Sequence, residues 1–303
     1  MMRTILLLAF ALSSTSVSVA AQAPIDDAKL EQTITDRCQP LLAAGKLVAC
    51  ATLVAAAKTE PCTELPVVAQ RTAALEVPDL RDLVARSARI VGHFYKCTEC
   101  EEWHFSSASG CCLSAQGLVA TCAHVLAADE GMREAYLVSA DYDGNVFPVE
   151  AVLAADTKAD ICILATGERG GVPLPLRAGV RAGESVFCLS NPDHFFGCFT
   201  EGRVLRRYLE RPVGADGLPA ADLAMPPLPW LHVSCAFARG SSGGAIVDAR
   251  GNLVGLAQST TTIVHDEEAE VVDTQMVLRT AAPVEALQAL LRAAKPVPTD
   301  GGK

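Results

Sequence analysis

The sequence predicts an all-β fold with small helical additions at its two ends. Three observations predict it. From about Ala88 onward, short β-branched and apolar runs alternate with Gly, Asp and Pro, the texture of many short strands in a sandwich or barrel. Residues 21–86 lack that texture and read as a separate helical extension. Near the end, Pro283 to Ala294 places Val284, Leu287, Leu290 and Leu291 on one helical face, as a packed C-terminal helix requires.

Residues 1–20 read as a secretory signal: Arg3 is the positive start, Ile5 to Leu12 the apolar region, and Ser18-Val19-Ala20 the small-residue cleavage site. The apolar region is short for a membrane span. In the extension, Ile25, Leu30, Ile34 and Leu41-Leu42 have partial helical periodicity, and the Ala-rich run over 41–57, which contains Lys46, reads as a buried helix. Ile90 and Val91 open the first strand, which Gly92 interrupts. Further strands are expected at 111–114, 118–122, 135–139, 147–153, 161–165, 185–189, 202–207, 230–235, 245–248 and 253–258. Residues 208–229, rich in Pro and Gly, read as a surface loop, and 297–303 as a disordered tail.

The chain has 303 residues and is 50% hydrophobic, enough for a sizeable core in one or two domains. A net charge of −10 disfavours nucleic acid, which selects a basic surface.

The chemistry centres on Arg239-Gly240-Ser241-Ser242-Gly243-Gly244-Ala245, a glycine-rich turn that runs into Ile246-Val247. Glycines permit backbone angles that side chains forbid, so the turn can expose a serine and aim the N–H groups of Gly240 and Ser242 at one oxyanion. Ser242, directly before Gly-Gly, is the expected nucleophile, with Ser241 its rival. His124 follows an apolar run ending Thr121-Cys122-Ala123, and is the expected general base. Asp160, which runs directly into Ile161-Cys162-Ile163-Leu164, is the expected orienting acid, with Asp156 its rival. The chain order is His, Asp, Ser, the order of chymotrypsin-type peptidases and not of subtilisin-type or α/β-hydrolase enzymes.

On these residues the chain resembles the trypsin-like serine peptidases, in the HtrA-like bacterial branch. Ser109-Gly110, Gly117 and the Thr121-to-Val125 segment match that branch's pattern around the histidine. Asp156 to Leu164 matches its Asp segment, Thr200-Glu201-Gly202-Arg203-Val204 its T-x-G-x-V segment, and Gly251 to Leu256 the strand after the nucleophile. Ser190-Asn191-Pro192 resembles its G-N-P segment with Ser in place of Gly. The resemblance covers roughly 88–294. It implies two six-stranded antiparallel barrels of the chymotrypsin type with the site between them, in a peptidase domain over 87–296.

It further implies a side-chain pocket lined by Ala236, Phe237, Ala238 and Arg239 and by Gln258, Ser259 and Thr260. Ala236 falls where an acid would recognise Lys or Arg, so small or medium apolar residues are the expected preference, with Phe237 shortening the pocket. Ser241 stands where activated trypsins carry an Asp, so zymogen activation of that kind is not expected. HtrA proteins carry a PDZ domain after the peptidase; with the sequence running only to Lys303, none is expected here. The expected function is an exported serine endopeptidase, periplasmic or secreted. It would act on protein or peptide substrates with no cofactor, no nucleic acid and no stable membrane insertion. The alternative is an inactive trypsin-fold binding module.

Twelve cysteines in an exported chain predict disulfides, with most thiols oxidised. Cys38, Cys50 and Cys62 are evenly spaced, which fits a stapled helical hairpin or coincidence. Cys111 and Cys112 face opposite sides of a strand, and Cys162 fits a simple buried thiol. The resemblance places Cys188 and Cys235 on neighbouring strands, within reach of a disulfide. Cys97-Thr98-Glu99-Cys100, with Trp103-His104, has spacing for three zinc ligands, for a disulfide or for a redox pair. No second C-x-x-C exists, so no metal is expected. His93, His194, His232 and His265 read as surface or packing residues.

Overall fold

The computed structural model describes residues 23–57, 63–64, 68–100, 102–210, 228–264 and 274–292. The signal segment 1–20, Cys62, most of the 208–229 loop, His265 and the tail 297–303 lie outside the described residues.

Twelve strands close into two six-stranded antiparallel barrels. The first comprises β1 (Ala88–Cys97), β2 (Trp103–Cys112), β3 (Leu118–Thr121), β4 (Met132–Ala140), β5 (Val146–Asp156) and β6 (Ile161–Thr166). The second comprises β7 (Ser185–Ser190), β8 (Cys198–Glu210), β9 (Leu228–Val233), β10 (Ala245–Asp248), β11 (Leu253–Val264) and β12 (Thr274–Pro283). Both barrels have the same strand order: β1-β2-β3-β6-β5-β4 in one and β7-β8-β9-β12-β11-β10 in the other. Closure leaves no edge strand in either sheet.

Each barrel has its own apolar interior. Val91, Val119, Leu137, Val149 and Leu164 fill the first. Val186, Val204, Leu231, Ile246 and Val254 fill the second. A third cluster joins them: Ile161 and Ile163 of β6 meet Leu189, Val247 and Leu253 of the second barrel. Helices α3 (Val77–Ser87) and α4 (Val284–Leu290) seal this seam with Leu80, Leu83 and Val84 from one and Val284, Leu287 and Leu290 from the other.

At the N-terminal end, α1 (Asp27–Ala43) is capped by Asp26, whose carboxylate accepts the Lys29 N–H at 3.1 Å. It buries Leu30, Ile34 and Cys38 against Ile90, Phe94, Phe105 and Val138 of the first barrel. The 41–57 run is not one helix. It breaks at Gly45, where φ is +64°, and resumes as α2 (Cys50–Ala56), with Cys50 and Leu53 buried.

Several expected strand boundaries move. Gly92 does not interrupt β1. It lies mid-strand because a Cβ there would sit 2.1 Å from the Ser106 carbonyl oxygen and 2.7 Å from the Phe105 ring, a close approach that only glycine permits. Strand β12 was not expected, and the C-terminal helix ends at Leu290 rather than Ala294. β8 continues to Glu210, into the stretch expected to be loop.

The disulfide expectation is corrected. The eleven described cysteines are free, and eight of these are buried. Seven of the buried ones serve as small apolar core residues, and the eighth, Cys112, donates to the Glu168 carboxylate at 3.6 Å. Cys38 and Cys50 are unpaired, and burial pushes their thiols up to about 12 and about 11. Cys188 and Cys235 are unpaired too, with the Cys235 S–H donating to the Val186 carbonyl at 3.4 Å. Among the described residues no helix is long and apolar enough to cross a membrane.

Candidate active site

The three residues singled out from sequence converge where the barrels meet. His124 lies in a short 3-10 turn (Ala123–Leu126) after β3. Asp160 immediately precedes β6, and Ser242 lies in the turn before β10. Asp160 Oδ2 is 2.7 Å from His124 Nδ1, and Asp160 Oδ1 accepts the His124 backbone N–H at 2.9 Å. His124 Nε2 is 2.8 Å from Ser242 Oγ. The result is a continuous path from a buried carboxylate, through an imidazole whose side chain is 50% exposed, to a serine hydroxyl.

Asp160 has φ of +52°, in the left-handed region that a non-glycine residue enters at a cost. Its burial alone would raise the carboxyl pKa. Hydrogen bonds from the His124 side chain and backbone outweigh that, and Gln258 adds another, so the pKa is lowered. The carboxylate is therefore ionised and aimed at His124 Nδ1, leaving Nε2 to face Ser242.

Both rivals are occupied elsewhere. Asp156 Oδ1 accepts the N–H groups of Lys158 at 2.9 Å and Ala159 at 3.0 Å, which makes it a turn former. Ser241 is buried, and its Oγ accepts from Ser190 at 3.0 Å and from the Ala238 N–H at 3.2 Å.

The nucleophile turn is pinned from the first barrel. The Ser109 N–H donates to the Ser242 carbonyl at 2.9 Å, and its hydroxyl donates to the Gly240 carbonyl at 3.0 Å. The Asp193 N–H donates to the Arg239 carbonyl at 2.8 Å. In a trans peptide C=O and N–H point in opposite directions, so this last bond directs the Gly240 N–H away from Asp193. Neither the Gly240 nor the Ser242 N–H is engaged among the described residues. Gly240 and Gly243 both have φ of +85°, so the turn depends on glycine.

The expected pocket residues separate. Ala236, Ala238, Arg239, Ser259 and Thr260 are exposed. Phe237 is not an open pocket wall, because its ring is buried in the second barrel with Val204, Leu231 and Val254. Gln258 turns inward and donates from Nε2 to Asp160 Oδ2 at 3.0 Å. Its carbonyl lies 3.4 Å from Ser242 Oγ, so Gln258 touches both ends of the set.

Sequence reasoning assigned no chemistry to Ser109 or Asn191. Buried Asn191 donates from Nδ2 to the carbonyls of Ala108 at 3.2 Å and Arg89 at 3.4 Å, and accepts at Oδ1 from Gly197 N–H and Tyr142 hydroxyl, both at 3.0 Å. It thereby ties β1 and β2 to the loop beneath the nucleophile turn. The Ser109-Gly110 and Asn191-Pro192 pairs were the available signals, both quoted above only as matches to a pattern.

This class of fold and site is that of the trypsin-like peptidases, and residues 108–256 match the model of the trypsin-like peptidase domain. Within that class the chain is similar to the serine proteases HTRA2 and HTR4. The mitochondrial serine protease HTRA2 of Bos taurus is 30% identical over 154 residues, covering 50% of this chain and 31% of that protein. Serine protease HTR4 of Bos taurus is 27% identical over 161 residues, covering 52% of this chain and 30% of that protein. The chain thus spans about a third of the length of these relatives. The HtrA-type protease AlgW, solved with a decapeptide, superposes with a TM-score of 0.52 at 18% identity over 71% of this chain and 66% of that one, a likeness of fold.

Proposed function

We propose that the chain is an exported serine endopeptidase that hydrolyses peptide bonds through His124, Asp160 and Ser242. The carrying observation is the pair of contacts at 2.7 and 2.8 Å that link Asp160, His124 and Ser242. Neutral His124 takes the Ser242 proton at Nε2 as Oγ attacks the substrate carbonyl. The Gly240 and Ser242 N–H groups stabilise the oxyanion that forms. His124 then gives the proton to the leaving amine, and an acyl-enzyme on Ser242 remains. A water molecule, deprotonated by His124, releases the acid product. Asp160 holds the imidazole in the required tautomer and stabilises its cationic form.

Peptide or protein substrates fit this reading, and the AlgW neighbours carry a decapeptide and a tripeptide. Export rests on the residue 1–20 pattern and implies a periplasmic or secreted protein. Ala236, Ala238, Arg239, Ser259 and Thr260 remain the proposed substrate-side surface.

An active-site serine probe followed by peptide mass mapping tests the proposal. Label is expected on Ser242 and absent from Ser242→Ala, while Ser241→Ala retains substantial turnover. A folded wild-type chain that takes no label and cleaves no peptide would instead be a trypsin-fold binding module.

A further inference from the structure

A second cluster of reactive side chains lies away from the cleft, at the turn between β1 and β2. Ligand atoms of Cys97, Cys100 and His104 all lie within 4.8 Å of one another. Cys122, His124 and Asp160 form a similar group, but there the imidazole and carboxylate already engage each other and Ser242. The hairpin cluster has no such role to explain it.

Its three members are held from different directions. Cys97 ends β1, and its N–H donates to the Glu102 carbonyl at 3.0 Å, closing the turn. The next residue, Thr98, fastens the turn to the neighbouring loop, with its N–H and hydroxyl donating to the Gly131 carbonyl at 3.1 and 3.3 Å. His104 is on β2, paired opposite Tyr95, whose ring lies 5.6 Å from the imidazole. Adjacent Trp103 stacks on Phe94 at 4.4 Å and fixes that end of the strand.

Two geometric details favour a metal over a disulfide. Cys100 Sγ lies 2.9 Å from His104 Nε2, so the second sulfur is directed toward the imidazole. The Glu99 N–H points at Cys97 Sγ from 3.4 Å, an arrangement that suits an anionic sulfur ligand. A disulfide would leave the histidine without a part. Tetrahedral bonds of about 2.3 Å to sulfur and about 2.1 Å to nitrogen place S and N ligands ~3.6 Å apart, so binding asks only a small spreading of the Cys100–His104 pair.

We propose that Cys97, Cys100 and His104 bind one zinc-class divalent cation, with water in the fourth position. Each cysteine thiol releases its proton to solvent as its metal–sulfur bond forms, and no electron transfer is involved. Two thiolates and a neutral imidazole balance the dication. His104 is five residue steps from Ser109 along β2, ~17 Å of strand. The ion would therefore fasten the hairpin and take no part in acyl transfer.

The test uses the full chain, reduced, stripped with a chelator and titrated with Co²⁺. One equivalent is expected to give thiolate-to-cobalt charge-transfer absorption with intense tetrahedral d–d bands, bleached by one equivalent of Zn²⁺. Zn²⁺ should also raise the thermal midpoint of wild type. Cys97→Ser and Cys100→Ser should each remove the charge-transfer signature in part and weaken binding beyond the ~10–100-fold typical of outer-shell changes. His104→Ala should weaken binding while keeping the sulfur bands. Far-UV circular dichroism would show that each variant is folded. Absence of a tetrahedral spectrum in wild type would overturn the proposal. So would an unchanged spectrum in the double variant Cys97→Ser/Cys100→Ser, or a Cys97–Cys100 disulfide in protein purified without reductant.

Discussion

Replacing Asp160 by Asn changes the charge and hydrogen-bonding character of one group at nearly constant shape, and its effect can be worked from the contacts. Every neighbour of the carboxylate donates: the His124 backbone N–H at 2.9 Å, His124 Nδ1 at 2.7 Å and Gln258 Nε2 at 3.0 Å. An asparagine supplies one acceptor and one donor end. With its oxygen on the His124 backbone N–H, its amide N–H₂ faces Nδ1 and forces the imidazole proton onto Nε2. That nitrogen then cannot accept the Ser242 proton. The flipped amide keeps the tautomer but sets its N–H₂ against the His124 backbone N–H, a donor that cannot turn away, at a cost of about 1–3 kcal/mol for a buried unsatisfied group; in the first arrangement the donor opposed is the Gln258 amide, which can flip to present its oxygen. The first arrangement therefore prevails. Loss of the correct tautomer lowers kcat by ~10⁴-fold, which is about 5.5 kcal/mol of transition-state stabilisation. KM should change little, because no substrate contact is lost. The lowered Asp160 pKa adds a stability signature. The carboxylate's contribution is present above its unfolded value of about 3.9 and is lost as pH falls through the lower folded value. The stability gap between wild type and Asp160→Asn should accordingly be full at neutral pH and close in acid. Steady-state peptide hydrolysis and denaturant melts across pH measure both. A near-wild-type kcat for Asp160→Asn, with activity lost in Asp156→Asn, would refute the assignment of the orienting acid.

Other substitutions probe the surroundings. Gln258→Leu removes one donor from Asp160 and should lower kcat by up to about tenfold, consistent with ~1 kcal/mol for one hydrogen bond, with KM unchanged; a KM effect alone would return Gln258 to the substrate surface. Gly243→Ala places a Cβ 2.2 Å from the Ser109 carbonyl oxygen and 2.3 Å from Thr121 Oγ1 at φ of +85°, so serine labelling and thermal midpoint should both fall. Glu31→Gln tests the contact at 2.8 Å that raises the His194 pKa against the effect of burial. The stabilisation is full below about pH 6.5 and is lost as pH rises through the higher folded value. Both side chains are more than a third exposed, so melts should show a gap under about 1 kcal/mol in acid and none in alkali.

What was legible in the sequence follows the range of each interaction. The glycine turn around Ser242, the apolar run before His124 and the Asp160–Ile161 junction are local patterns, and most strands lie close to where alternation and turn residues put them. Strand β12 was missed because its first three residues, Thr274 to Met276, are exposed and its buried end, Thr280-Ala281-Ala282-Pro283, has no large apolar side chain, giving no alternating apolar signal. The contact of Gln258 with Asp160 was not legible, because the destination of its side chain depends on a carboxylate 98 positions away. The cysteines misled for a different reason: composition suggests cross-linking, but whether two sulfurs meet is decided by packing, and eight of the described thiols are buried, seven of them in apolar clusters.

The loop from Asn191 to Gly197 shows how far such coupling extends. Asp193 and His194 have φ of +47° and +65°, and left-handed residues of this kind cost on the order of 1–3 kcal/mol each. Two bonds within the loop, from the Phe195 N–H to the Pro192 carbonyl at 2.8 Å and from the Gly197 N–H to Asn191 Oδ1 at 3.0 Å, offset part of that cost; further restraint comes from elsewhere. Asp27 of α1 accepts the Phe196 N–H at 2.9 Å, Glu31 of α1 holds His194, and Asn191 is gripped by carbonyls of β1 and β2. The same loop supplies the Asp193 N–H that fixes the Arg239–Gly240 peptide. Helix α1, which carries no residue of the catalytic set, therefore supports the conformation on which the Gly240 N–H depends. A helix read from the sequence only as a separate extension is, in physical terms, part of the structure that orients the Gly240 N–H, one of the two proposed oxyanion donors.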